Sequence, residues 1–192
     1  MTSTFGRRAG SRVLDFVNTL DWRDAPARRV ELVPTAGALA SWARHVDFPD
    51  SDARGIRLAR HQALAVGLRE VLATLFRAVA DRRALPASAL GTVTRWTRAA
   101  WRHRELTATD AVPVWRWSAT TAPAARVLYA LALEAADLLL SPDRDRIHVC
   151  AGEGCGWLFV DRSKAGRRRW CNMAACGNRA KVRDYRERVA RG

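Results

Sequence analysis

Apolar residues recur at helical spacing along most of the first 140 residues. Val13, Phe16 and Val17 stand at i, i+3 and i+4, so they predict a short helix near the start of the chain. Thr35 is a suitable N-cap for the next periodic segment. The same periodicity predicts four further helices, at residues 35–46, 53–84, 86–102 and 124–140.

Two short segments depart from the helical pattern. Residues 106–110 and 112–117 are rich in β-prone side chains, and the second segment alternates along its length. We expect an antiparallel hairpin with its turn near Asp110 and with Pro113 at an edge, where a missing N–H is tolerated. The pattern up to this point predicts a mainly α protein of the α+β class, with a helical N-terminal domain and a small β-hairpin.

All four cysteines lie in the last quarter of the chain, as two close pairs, Cys150 with Cys155 and Cys171 with Cys176. Each pair closes a short loop and the spacer lets the chain turn back, which is the arrangement that one tetrahedral Zn²⁺ needs. Two disulfides or four unrelated thiols are the alternatives, but no secretory signal points to an oxidising compartment. Four thiolates leave no position for water, so the predicted single zinc is structural.

The residues around the cysteines predict a treble-clef-like arrangement. Trp157–Val160 is apolar and aromatic and predicts a strand, and Ser163–Gly166 predicts a turn. A helix is expected to begin at or just after Cys176, with Val182 and Val189 facing inward. The full prediction is a helical N-terminal domain with a small β-hairpin, followed by a treble-clef-like zinc module with four cysteine ligands.

Three strings in this region resemble the CGNR zinc finger: Cys-Gly-Asn-Arg at 176–179, Arg-Arg-Trp-Cys at 168–171 and Trp-Leu-Phe-Val-Asp at 157–161. The resemblance implies a structural zinc on the four cysteines and suggests DNA binding. Leu-Asp-Phe-Val-Asn-Thr at 14–19 is similar to the opening of the ABATE domain, which implies a stress-responsive regulatory domain. We therefore expect two domains, an ABATE-like helical domain at 1–143 and a CGNR zinc finger at 144–192.

The chain is strongly basic. It has 33 Lys plus Arg against 19 Asp plus Glu, and its formal net charge of +14 favours a polyanionic partner. All but two of the basic residues are Arg and Ala is abundant, which a GC-rich genome would also produce. The distribution nevertheless points to function, because residues 147–192 hold 11 basic and 4 acidic side chains and therefore half of the excess charge.

The candidate nucleic-acid surface combines the predicted turn with the last helix, and it indicates a bacterial transcription regulator that binds DNA. Arginine can grip a phosphate or pair with guanine through two hydrogen bonds. The candidate contacts are Arg162, Lys164, Arg167, Arg168, Arg169, Arg179, Lys181, Arg183 and Arg186. A protein-docking zinc module and an RNA-binding protein are the alternatives, the latter with Trp157, Trp170 and Tyr185 as stacking platforms.

Asp15 and Asn18 lie on one side of the first predicted helix and admit two interpretations. They could line a pocket for a small-molecule effector, or they could anchor neighbouring backbone groups. We favour the anchoring role, because a buried polar side chain usually satisfies the structure around it first.

Other classes of protein find little support in the sequence. It contains no metal-binding histidine pair, nucleophile motif or glycine-rich phosphate loop, so we expect no enzyme. The first ten residues are polar and basic, and the longest apolar stretch, 127–140, is too short to span a bilayer. We expect a cytoplasmic protein without membrane contact, whose N-terminal domain senses an effector or forms a homodimer.

Overall fold

The computed structural model describes residues 5–48 and 59–191. It confirms a mainly α protein of the α+β class with small two-stranded sheets. The helices are α1 (Arg12–Val17), α2 (Ala36–His45), α3 (Ala59–Ala80), α4 (Ala87–Arg102), α5 (Pro123–Leu140) and α6 (Asn178–Val189). The strands are β1 (Leu20–Asp21), β2 (Val30–Glu31), β3 (Arg104–Thr109), β4 (Val112–Trp117), β5 (Ile147–Val149) and β6 (Leu158–Val160). None of the helices in these described ranges is both long and apolar enough to cross a membrane.

The chain forms two compact units, and each gathers segments that are distant in sequence. The cysteine unit contains the segment that ends at Leu32, Phe76–Ala84 and the stretch from Pro142 onward. The helical unit contains Val33–Leu75 and Leu85–Ser141. The domain boundary expected at 143–144 remains a prediction, but the residues before Val33 cluster in space with the cysteine-bearing stretch.

Helix α2 shows how the helical unit follows its sequence pattern. The Thr35 hydroxyl accepts a hydrogen bond from the Ala38 N–H at 3.1 Å and caps the first turn. Leu39 and Trp42 then lie one turn apart and are both buried. In the same unit α4 packs against α5, as expected for two amphipathic helices.

Helix α3 is shorter than predicted. The sequence predicts a helix over residues 53–84, whereas α3 ends at Ala80 and Arg82 has a φ of 53°. A residue in the left-handed region does not continue a right-handed helix, so the chain turns there. Residues 53–58 of the prediction lie outside the described part of the chain.

Strands β3 and β4 form the predicted hairpin. They pair antiparallel along their whole length. Asp110 and Ala111 have φ values of 48° and 64°, as a two-residue type I′ turn requires. Trp117 is buried and its ring centroid lies 6.1 Å from that of Tyr129, so the hairpin contacts α5.

Candidate metal centre

The first cysteine pair is held in a loop between β5 and β6, which pair antiparallel. The Cys150 N–H donates to the Trp157 carbonyl at 2.8 Å and closes this loop. Gly154 lies within it at a φ of 70°, a conformation that glycine adopts without steric cost. A Cβ on Gly152 would stand only 3.0 Å from the Cys176 Cβ, so the loop lies directly against the second cysteine pair.

The second cysteine pair opens the last helix. The Asn172 side-chain oxygen accepts a hydrogen bond from the Ala175 N–H at 3.0 Å and caps a π-helical turn over Met173–Gly177. Helix α6 follows directly, so it begins just after Cys176 as predicted. Cys171 precedes the cap and Cys176 lies within the turn, which brings their Sγ atoms to the same end of the helix.

All four Sγ atoms lie within 4.8 Å of one another, and all four cysteines are buried. The Sγ atoms of Cys171 and Cys176 are 3.6 Å apart. Cys155 Sγ lies 3.8 Å from the first of these and 3.6 Å from the second. Four sulfurs at about 2.3 Å from a tetrahedral Zn²⁺ would stand about 3.8 Å apart. The donor set and its spacing therefore fit one zinc ion in a closed structural site.

The charges at this cluster also suit a bound cation. The backbone N–H groups of Gly152 and Cys171 donate to Cys150 Sγ at 3.4 Å and 3.3 Å, and such bonds favour a thiolate. The pKa of the Cys155 thiol is raised, first by its side-chain hydrogen bonds with Cys150 and Cys171, then by burial, and further by the charge of Cys171. A divalent cation between the sulfurs would offset both the burial and the repulsion of the thiolates.

Asp161 organises the loop that follows β6, and no sequence pattern marked it for this role. Its buried carboxylate accepts hydrogen bonds from the Ser163 N–H at 2.9 Å and the Arg168 N–H at 2.8 Å. Hydrogen bonding by Ser163 is the main reason that the pKa of Asp161 falls to about 2. The strand predicted at Trp157–Val160 is present as β6, which begins one residue later, at Leu158, and pairs with β5. Residues 161–170, all described, lead to the second cysteine pair as turn and loop.

Arg168 braces this loop from within. Its Nε donates to the Trp170 carbonyl and its Nη2 to the Arg8 carbonyl, each at 2.9 Å, and Nη2 also bonds the Cys171 carbonyl. Its guanidinium carbon lies 4.3 Å from the centroid of the Phe159 ring. The side chain is thus directed at the protein's own backbone, so its first role is to stabilise the fold.

Two more of the predicted basic contacts have partners inside the cysteine unit. Arg162 lies 2.6 Å from the Asp143 carboxylate, and its Nη1 donates to the Gly10 carbonyl at 2.6 Å. Arg179 donates from Nη2 to Cys176 Sγ at 3.0 Å. Both residues are exposed, but these contacts within the protein hold each side chain in place.

The remaining six predicted contacts are exposed residues of the loop after β6 and of α6. They are Lys164, Arg167, Arg169, Lys181, Arg183 and Arg186. Arg167 and Arg169 line a groove of about 580 Å³ together with Trp170. Arg183 pairs with Glu153 of the first cysteine loop at 3.0 Å. The cysteine unit therefore presents basic side chains to solvent both in the loop after β6 and along α6.

Helix α6 is exposed on every side: of its residues, all described, none is buried. Val182 and Val189 were expected to face inward, and that expectation is wrong, because they are 49% and 62% exposed. Tyr185 is also 62% exposed and shares their face by helical spacing. The cysteines rather than an apolar stripe hold the start of this helix, so its later turns have no core to face.

Asp15 and Asn18 are both buried and both bond to backbone groups of the cysteine unit. The Asp15 carboxylate accepts from the N–H groups of Arg8 and Ala9, each at 3.0 Å. The Asn18 amide donates to the Leu158 carbonyl at 2.9 Å and accepts from the Leu158 N–H at 2.9 Å. These contacts favour the anchoring role: Asp15 holds the backbone that precedes α1, and Asn18 ties the end of α1 to β6.

The three aromatic residues considered for base stacking differ in access. Trp157 is buried, and its Nε1 donates to the Asp21 carboxylate at 2.8 Å. Trp170 is half-buried, whereas Tyr185 is exposed. The ring of Trp157 thus belongs to the packing of the unit and does not offer a face to a base.

Comparison with models of protein families gives two matches, in the order that the sequence predicted. Residues 10–142 match ABATE, which is described as a "putative stress-induced transcription regulator". Residues 146–189 match the CGNR zinc finger, and this span contains all four clustered cysteines. A search of curated proteins finds no match to the chain.

Proposed function

The chain belongs to the ABATE family with a C-terminal CGNR zinc finger, and we propose that it is a cytoplasmic transcription regulator whose zinc finger binds duplex DNA. One observation carries the proposal: α6 is a basic helix that follows directly on the metal centre and has no buried residue. Its first turns contact the cysteine loops through Arg179 and Arg183, and the rest of the helix is open to solvent. A helix with such an open face can enter a major groove, which is wide enough to admit it.

We divide the nine candidate arginines and lysines into two groups, although Arg183 of the second group also pairs with Glu153. Arg162, Arg168 and Arg179 stabilise the cysteine unit through carboxylate, carbonyl and sulfur partners. The DNA contacts that we propose are the six exposed residues, in the loop and along α6: Lys164, Arg167, Arg169, Lys181, Arg183 and Arg186. The loop would grip phosphates, which fix the register of a protein on DNA without reading its sequence.

The exposed apolar residues of α6 support a role in reading bases. Val182, Tyr185 and Val189 form a line along the helix and lie among basic side chains. In a major groove, an apolar side chain can contact the methyl group of thymine while a neighbouring arginine pairs with guanine. We therefore expect Val182 and Arg186 to contribute to sequence preference and the loop to contribute to affinity.

In this account Cys150, Cys155, Cys171 and Cys176 are ligands of one structural zinc, which holds the loop and α6 in a fixed relation. Asn18 serves that arrangement by anchoring α1 to β6, and Asp15 holds residues 8 and 9 against the same helix. The helical unit would supply the sensing or dimerising part of the regulator.

A protein-docking module is the second candidate, because the same exposed line on α6 would also suit a protein surface. Salt dependence separates the two functions. Binding to a fluorescent duplex should weaken steeply as salt rises, since arginines displace counterions from phosphates. Arg167→Ala combined with Arg169→Ala should flatten the slope of log affinity against log salt by about two units if each contacts one phosphate.

Arg98→Ala combined with Arg102→Ala is the matched control, because it removes the same charge from exposed positions on α4 of the helical unit. This variant should keep the wild-type slope. Equal effects of the two double variants would contradict the proposed surface, and the absence of duplex binding by the wild type would favour protein docking.

A further inference from the structure

Trp22 occupies an unusual backbone conformation beside the cysteine cluster. Its φ is 52°, in the left-handed region that bulky residues rarely adopt. The Trp22 N–H donates to the Asp21 carboxylate at 2.8 Å, and that carboxylate also accepts from Trp157 Nε1 at 2.8 Å. Such a conformation persists only where the surroundings over-determine it, and it often marks a functional position.

The Trp22 ring lies beside both cysteine pairs and lines one cavity with Cys155, Cys171 and Cys176. On the side of the first loop, a Cβ added to Gly154 would stand 3.7 Å from Trp22 Cε3, so the ring leaves little space there. Beside the second pair, the guanidinium carbon of Arg179 lies 4.8 Å from the centroid of the Trp22 ring. Arg28 approaches the same ring to 3.4 Å, so the indole is held by two cations.

Arg179 connects this ring to a sulfur of the cluster. Its Nη2 donates to Cys176 Sγ at 3.0 Å while its guanidinium lies over Trp22. A divalent cation and four thiolates together carry two negative charges, so a cation at a sulfur stabilises the assembled site. Charged and hydrogen-bonding groups just outside the ligands commonly tune the affinity of a metal site.

We propose that Arg179 is a positioning residue that neutralises the zinc-tetrathiolate centre, and that Trp22 holds its guanidinium in place. Arg179 and Trp22 together form a latch, that is, a contact that joins the segment after α1 to the zinc centre. Zinc occupancy and the position of Trp22 are therefore coupled. The latch rests on the proposed zinc ligands and is independent of DNA binding.

The test is a chelator competition that measures zinc affinity in the full-length protein. Arg179→Gln should weaken zinc binding by about 10–100-fold, as is typical when a group that supports a metal ligand is removed. Trp22→Leu should weaken it in the same direction. The double variant should be no weaker than Arg179→Gln alone, because both changes remove one interaction.

Arg188→Gln is the matched control, since Arg188 is an exposed arginine of the same helix and donates to the Asp184 carbonyl of α6 rather than to a sulfur. It should bind zinc as the wild type does. Arg179→Lys, which keeps a positive donor, should recover most of the lost affinity. In the Co²⁺-substituted protein, Arg179→Gln should also shift the wavelength of the thiolate-to-cobalt charge-transfer band. A change in folding alone would reduce the fraction of protein that binds cobalt but would not shift the band of that fraction.

Zinc affinity of Arg179→Gln equal to that of Arg188→Gln would overturn the proposal. Fully additive effects of Trp22→Leu and Arg179→Gln, or an unshifted cobalt band, would also overturn it. Failure of the wild type to bind stoichiometric zinc would refute the zinc centre itself, and a change in DNA affinity at unchanged zinc affinity would place Arg179 on the DNA surface instead.

Discussion

The substitution Asn18→Ala tests how the start of the chain is joined to the zinc finger. Asn18 makes two hydrogen bonds of 2.9 Å to the N–H and the carbonyl of Leu158, and both residues are buried. A hydrogen bond contributes about 1 kcal/mol net, and a buried polar group left without a partner costs about 1–3 kcal/mol. Alanine would leave both backbone groups of Leu158 without these partners, so we expect the free energy of unfolding to fall by about 2–4 kcal/mol.

Urea denaturation of the zinc-saturated protein, followed by circular dichroism, measures this loss. Asn178→Ala is a matched control, because the exposed Asn178 amide donates to the Ala174 carbonyl of the adjacent π-helical turn, at 3.2 Å. We expect the control to lose less than about 0.5 kcal/mol. If Asn18→Ala were as stable as the control, the anchoring argument would be refuted, and loss of an effector response at full stability would support the pocket interpretation.

The metal and the loop after β6 yield two further predictions. The reduced protein should contain one zinc per chain, and the Cys171→Ser variant should lose it. This variant should also show lower hydrogen-exchange protection in α1 and in β6, because both lie in the cysteine unit, whereas α5 should keep its protection. Unchanged protection in α1 would contradict this prediction. Asp161→Asn should lower the free energy of unfolding by about 2–3 kcal/mol, since it removes a charged acceptor of two backbone N–H groups. The pKa of Asp161 is lowered from 3.8 to about 2, so its contribution is fully present above the ordinary pKa and is lost only as the pH falls through about 2. The difference in melting temperature from wild type should therefore be the same at pH 6 and pH 8, and a difference that grows with pH in that range would contradict the assignment.

The sequence predicted what depends on local spacing. The four cysteines could be assigned to one metal because each pair closes a loop over a few residues, and this spacing is itself the requirement of the site. The β3–β4 hairpin was predictable because alternation and turn chemistry are also local. The start of α6 followed from the absence of Pro and Gly between Gly177 and the terminal Gly192.

Contacts between distant segments could not be predicted in the same way. Arg167, Arg168 and Arg169 are identical neighbours in the sequence, and only the fold directs the second of them to the Arg8 carbonyl. The pairing of Asn18 with Leu158 likewise spans most of the chain. Both depend on how the start of the chain meets the cysteine loops, which no periodicity encodes.

The error at α6 has a different cause. The prediction correctly placed Val182 and Val189 on one helix. It then assumed that an apolar face of a helix is buried, which is true only where a hydrophobic core lies against that face. In this unit the cysteine cluster takes the place of such a core at the start of the helix. The later turns remain open to solvent, and this exposure is the feature on which the proposed DNA contact rests.

The most direct test compares duplex DNA binding by zinc-loaded protein and by the same protein stripped of zinc with a chelator, at one fixed ionic strength. Zinc should hold the loop after β6 and α6 in a fixed relative position. We therefore predict that removal of zinc weakens DNA binding by about tenfold or more and that added zinc restores it. Equal affinity with and without zinc would contradict the claim that the zinc finger forms the DNA-binding surface.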